Sequence, residues 1–219
     1  MKNHLTELVF ILDRSGSMSG LESDTIGGFN ALLEKQKTES GECSVTTVLF
    51  DDRYELLHDR FPLKGVSPIT NNDYFVRGST ALLDAIGRTI DKVANVQARI
   101  SDSERASKVL FVIITDGMEN SSKEYRFDRV KEMVEREQNS HGWQFLFLVA
   151  NIDAIQVASR FGIARDHAVN YCPDGEGTRL NYSVVSDAIC QVRAGVPIDA
   201  KWKKRIQDFF KQAKSPFYR

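Results

Sequence analysis

The chain has 219 residues, 42% hydrophobic and 27% charged, with a formal net charge of −1. This composition is that of a soluble globular protein, and at this length about 70% of the unfolded surface can be buried in one core. It excludes a general electrostatic pull toward nucleic acid or membrane, and no segment reaches the roughly 18 consecutive apolar residues of a membrane span.

The three cysteines, Cys43, Cys172 and Cys190, are odd in number, far apart and without zinc-site spacing. They suit a reducing cytoplasm. His4, His58, His141 and His167 are equally scattered. Polar Thr6 and Glu7 interrupt the start of the chain, so no secretory leader is expected and the expected location is cytoplasmic.

In chain order, Leu8-Val9-Phe10-Ile11-Leu12 is an unbroken apolar run, which fits a strand covered on both faces. It stops at Asp13-Arg14-Ser15-Gly16-Ser17, a carboxylate and two hydroxyls at alternate positions. Ser23 or Asp24 can cap a helix that carries Ile26, Phe29, Leu32 and Leu33 and ends at Gly41. Gly27-Gly28 inside it implies close packing against the sheet. Cys43 to Phe50 reads as a second strand. Asp51-Asp52 makes a tight turn into an antiparallel edge strand around Tyr54 to Leu57, and Arg60 to Asp73 reads as loop. Ser79, in Arg77-Gly78-Ser79-Thr80, stands where an N-cap belongs before Leu82, Leu83, Ile86, Ile90 and Val93. Val109 to Ile114 is a strongly hydrophobic strand that ends at Thr115-Asp116-Gly117. A helix over Tyr125 to Asn139 follows, then a strand over Phe145 to Val149 and a short helix over Ala154 to Phe161. A short strand over His167 to Tyr171 and a helix over Leu180 to Arg193 complete the pattern. Asp174-Gly175-Glu176-Gly177 reads as loop, because the EF-hand spacing is missing.

Strand and helix alternate almost throughout. That predicts an α/β fold: a Rossmann-like, doubly wound, mostly parallel six-stranded sheet with one antiparallel edge strand and helices on both faces. In such sheets ligands bind beyond the carboxyl ends of the strands, near the switch point. Asp13, Ser15, Ser17, Thr80 and Asp116 all fall on that edge. Small oxygen-bearing side chains there are poor core material and good ligands for a hard cation.

These five residues resemble the metal-ion-dependent adhesion site of von Willebrand factor A domains. That site is Asp-x-Ser-x-Ser after the first strand, a threonine in a later loop and an aspartate after the fourth strand. The order of elements is similar to that family from about Leu5 to Arg193, which gives an A domain over residues 1–198. The resemblance implies that Ser15, Ser17 and Thr80 hold a divalent cation through their hydroxyls, with Asp13 and Asp116 acting mostly through water, or one of them directly. Magnesium is the expected ion, manganese and calcium the alternatives. It also implies an open coordination position for the Asp or Glu of a protein partner, and a likeness to stand-alone bacterial cytoplasmic A-domain proteins. Nucleic acid is not an expected partner.

Arg14, Met18, Arg77 and Glu119 flank the five and are expected on the rim of the site. Asp51 and Asp52 are expected to form only a turn; Glu119 and Asn120 follow Asp116-Gly117 closely enough to touch the edge of the site, and helix capping explains them as well. The enzymatic alternative is a magnesium-dependent phosphohydrolase with Asp13 as nucleophile. Against it, the residue two after Asp13 is Ser15, not a second carboxylate, and no phosphate loop or nucleophile–base arrangement stands out. Residues 199–219 read as a basic amphipathic helical extension. Its Lys201, Lys203, Lys204, Arg205, Lys211 and Lys214 are interleaved with Trp202, Ile206, Phe209 and Phe210. It either packs its aromatic face on the domain or docks a partner.

Overall fold

The computed structural model describes residues 5–214; His4 and the last five residues of the expected extension lie outside them. Six strands form one sheet: β1 (Thr6–Asp13), β2 (Cys43–Phe50), β3 (Tyr54–Pro62), β4 (Lys108–Thr115), β5 (Gln144–Val149) and β6 (Ala168–Asn170). Their spatial order is β3-β2-β1-β4-β5-β6. Every neighbouring pair is parallel except β2 with β3, as expected from the short Asp51-Asp52 link. From β1 the chain builds outward on one side and then crosses back to β4 on the other. The switch point therefore lies between the carboxyl ends of β1 and β4.

Side chains alternate across each strand, so β1 feeds two cores. Leu8, Phe10 and Leu12 face a layer that includes α1 (Glu22–Thr38) and α5 (Gly175–Arg193). Val9 and Ile11 face α2 (Leu82–Arg99), α3 (Phe127–His141) and α4 (Ala154–Arg160). Both faces of β1 are buried along its whole length, which is why its sequence reads as a continuous apolar run. The sheet is doubly wound, with helices on both faces.

Several local expectations are corrected. The edge strand continues to Pro62 through register shifts opposite Val45 and Thr47, and Arg60 takes φ +47 there. Bulges of this kind twist an edge strand, and apolar alternation alone does not reveal them. Neither Ser23 nor Asp24 caps α1: both lie within it, and its N-cap position is Leu21. Ser79 does not cap α2, whose N-cap position is Ala81. Asp174 caps α5 by accepting from the Gly177 amide at 2.7 Å, so Gly175 to Gly177 form a first helical turn and not a loop. Gly28 packs on α5 and not on the sheet: a Cβ there would meet the Tyr182 ring at 2.4 Å.

After α5 a short 3-10 turn (Ala200–Lys203) leads into α6 (Lys204–Ala213), which lies on α5 and β6. Trp202 and Ile206 join the α1/α5 core. The Trp202 indole donates to the Asp166 carbonyl at 2.8 Å. Lys203 is buried, donates to the Ala168 carbonyl at 2.8 Å, and has its pKa lowered by burial. The other lysines of the segment stay exposed. Of the two expectations for this stretch, packing is the one observed. Among the described residues no helix is long and apolar enough to cross a membrane.

Candidate functional site

Three loops meet at the switch point and are pinned to one another through their backbones. The Gly16 amide donates to the Gly78 carbonyl at 3.1 Å, and the Arg77 amide to the Arg14 carbonyl at 2.9 Å. Gly78 has φ +66, and a Cβ there would stand 2.2 Å from Asp52 Oδ1, so only glycine lets this loop close on the hairpin. Thr80 is clamped from the third loop: its amide donates to Asn120 Oδ1 at 2.9 Å, and the Asn120 amide donates to its carbonyl at 3.0 Å. The buried Tyr74 hydroxyl donates to the Asp13 carbonyl at 2.5 Å. Asn151, itself at φ +60, donates to the Asp116 carbonyl at 3.1 Å.

These anchors bring the five sequence-predicted residues together. Ser15 Oγ lies 3.1 Å from Ser17 Oγ and 3.0 Å from Thr80 Oγ1. All three hydroxyls converge on the bare face of Gly117, where a Cβ would stand 2.9 Å from Ser17 Oγ, 3.1 Å from Thr80 Oγ1 and 3.8 Å from Ser15 Oγ. Asp13 is fully buried beneath them. One of its oxygens accepts from the Ser15 amide at 2.7 Å and the other from the Thr115 hydroxyl. Burial outweighs those bonds and pushes its pKa up to about 6, with the neighbouring Asp116 charge adding to the rise. Asp116 is also raised by burial, against the pull of the Ser17 hydroxyl. Its Oδ1 is buried without a hydrogen-bond partner.

This donor set fits a small hard cation. Among the described residues no three His, Cys, Asp or Glu side chains gather as a metal-holding group; the cluster consists of three neutral hydroxyls and two carboxylates. Oxygens cis to one another in an octahedron with bonds of about 2.0–2.1 Å stand about 2.8–3.0 Å apart. The hydroxyls, hydrogen-bonded to one another at 3.0 and 3.1 Å, already stand close to that separation. An orphaned carboxylate oxygen at a buried site is what a cation, directly or through its water, would satisfy.

The expected rim is corrected in part. Arg14 is fully buried and points away from the cluster to Asp51 at 3.2 Å and Glu55 at 2.6 Å. Met18 is buried, because the 3-10 turn Gly16–Met18 rolls it inward. Arg77 is partly exposed and pairs with Asp51 at 2.5 Å. Asp51 is therefore more than a turn residue: it is a buried counterion for two arginines. Glu119 is a cap supplied from another loop, accepting from the Leu83 amide at 2.9 Å and the Ser122 amide at 2.8 Å. Sequence reading gave no role to Tyr74, Thr115, Gly117 or Asn151. For Thr115 and Gly117 a signal existed, since both adjoin Asp116. Nothing in the sequence pattern singles out Tyr74.

No protein-family profile and no curated protein matches the sequence. Solved structures do match. Proximal thread matrix protein 1 from the mussel byssus is 13% identical, with a TM-score of 0.56 over 87% of this chain and 47% of that one. A form of that protein with a zinc-occupied adhesion-site motif matches equally well, with a TM-score of 0.56. The PilB minor pilin from Streptococcus sanguinis is 14% identical, with a TM-score of 0.57 over 88% of this chain and 62% of that one. A von Willebrand factor type A protein from Catenulispora acidiphila is 11% identical, with a TM-score of 0.57 over 84% and 42%. The fold of this chain is thus that of von Willebrand factor A domains. The matches span less than two thirds of each of those longer chains.

Proposed function

We propose that the chain is a metal-dependent protein-binding module. Ser15, Ser17 and Thr80 would hold a divalent cation through their hydroxyls, and Asp13 and Asp116 would act one shell out through water. When bound, the ion supplies an electron-poor centre with one free position, because the groups nearest it are neutral. The carboxylate of an Asp or Glu on a protein partner fits that position. The observation that carries this reading is the convergence of three hydroxyls on the bare face of Gly117, with Ser15 Oγ 3.1 and 3.0 Å from the other two. Magnesium is the ion proposed, with manganese and calcium as the alternatives.

The chain's own residues do the positioning. Tyr74 and Asn151 hold the backbones of Asp13 and Asp116, and Asn120 holds Thr80. Burial of Asp13 keeps its carboxylate from reaching outward to a partner or solvent. The same arrangement disfavours Asp13 as a phosphoryl nucleophile, since its side chain is fully buried and both oxygens are already engaged. Three unpaired thiols support a reducing, cytoplasmic setting. Calorimetric titration with magnesium tests the reading. Wild type is expected to bind one ion and Asp116→Ala to bind it at least about tenfold more weakly; equal binding by both would sink the assignment.

A further inference from the structure

Beside the hydroxyl cluster, on the same edge of the sheet, lies a groove of about 360 Å³. Its apolar walls are Leu82, Met118, Phe127, Ile152, Val157 and Phe161. Leu82 is two residues past Thr80 and Met118 two past Asp116. The groove therefore begins within about 7 Å of those backbones. Met118 is 66% exposed at its mouth. An apolar side chain so exposed beside a candidate binding centre gains from being covered.

Charge selects the occupant. The two carboxylates of the groove are already engaged: Glu119 with the Leu83, Ser121 and Ser122 amides, Asp153 with the Ile155 and Gln156 amides. Arg160 is exposed, stacks at 3.5 Å over the Phe127 ring, and makes no ion pair among the described residues. Arg160 is the charged side chain of the groove that has no hydrogen bond or ion pair among the described residues, so it is the one open to a partner's acid. An extended segment advances about 3.3 Å per residue, so one anchored at the cation reaches the groove within a few residues.

We propose that this groove reads the residues next to the partner's metal-bound carboxylate. The segment it fits carries a bulky aliphatic or aromatic side chain one to three residues from that acid, and a second acidic side chain for Arg160. The inference rests on the metal-dependent reading above. It is tested with short fluorescein-labelled peptides that carry one Asp, then Leu or Ala one, two or three residues later, then Glu. Anisotropy is read with saturating magnesium and with chelator. At one spacing the Leu peptide is expected to bind about tenfold more tightly than its Ala counterpart. That gap should shrink in Met118→Ser, and Arg160→Gln should weaken binding of the Glu-bearing peptides. Both variants should bind magnesium as wild type does. Leu and Ala peptides that bind equally at every spacing, or no peptide binding while magnesium itself binds, would overturn the groove and leave the cation site standing. A wild-type chain that binds no magnesium would overturn both.

Discussion

Gly117→Ala separates a cation site from a mere cluster of turn hydroxyls. The added Cβ would stand 2.9 Å from Ser17 Oγ and 3.1 Å from Thr80 Oγ1, so both hydroxyls must retreat by a few tenths of an ångström. Folding tolerates this, because the crowding atoms are side-chain hydroxyls and Gly117 does not have a left-handed backbone. Magnesium does not tolerate it, since it demands near-ideal octahedral geometry. A loss of up to about a hundredfold in affinity is expected, the upper end for changes that disturb ligand orientation. At a magnesium concentration one hundred times the wild-type Kd, binding stabilises the fold by about 2.7 kcal/mol. For a domain of this size that raises Tm by about 5–10 °C. A hundredfold weaker site retains about 0.4 kcal/mol, or about 1 °C. Differential scanning fluorimetry with magnesium and with chelator reads both numbers. If Gly117→Ala shows the full wild-type shift, the ion does not sit against Gly117 and the reading is wrong.

Three further outcomes follow from named contacts. Burial raises Asp13 from 3.8 to about 6 in the metal-free fold, so the folded state holds a proton that the unfolded chain releases in that window. The stability it contributes is present below pH 3.8 and lost as pH rises through about 6. In chelator, wild type should therefore lose up to about 3 kcal/mol relative to Asp13→Asn between pH 4 and pH 7; urea unfolding that shows a pH-independent difference would refute this. Asn120→Ala removes the acceptor of the Thr80 amide. It should cost about 0.5–1.5 kcal/mol and weaken magnesium binding about tenfold, as measured by denaturation and calorimetry. Trp202→Ala empties a core position and should cost about 3–5 kcal/mol with magnesium affinity unchanged; an unaltered Tm would mean that the segment does not pack as described.

The parts of the fold legible in the sequence were those set by local periodicity. The apolar runs that became β1, β4 and β5 announced strands buried on both faces, and the alternation of elements announced the parallel sheet. The cation cluster was legible because its side chains sit at strand ends, where the topology of such sheets collects them. What stayed hidden depends on partners distant in sequence. Ser79 looks like a cap for α2, yet the amides of Leu83 and Asp84 are satisfied from another loop by Glu119 and Ser122. Arg14 looks like an exposed loop residue, and only the hairpin carrying Asp51 turns it inward. Met18 looks the same until the 3-10 turn rolls it under. Gly28 suggested contact with the sheet, because nothing local points to Tyr182, more than 150 positions away in the sequence.

The Asp51 cluster explains how a site made of three separate loops holds a spacing of a few ångströms. Asp51 accepts from Arg14 at 3.2 Å and from Arg77 at 2.5 Å, and its own carbonyl accepts the Ala81 amide at 2.9 Å. One residue of the β2–β3 hairpin thus ties the loop of Ser15 and Ser17 to the loop of Thr80. Glu55 completes the balance at 2.6 Å from Arg14, giving two guanidinium groups against two carboxylates. Arg14 Nη1 is already buried without a partner, so the cluster has no spare acceptor. Asp51→Asn would leave the buried Arg14 without its fully buried counterion, a change that costs about 3–5 kcal/mol when one member of a buried pair is removed. It should also weaken magnesium binding, although Asp51 is not among the expected ligands. Asp52→Asn, one residue away and exposed, should do neither. Equal denaturation midpoints for the two variants would mean that the loops are held by their backbone bonds alone.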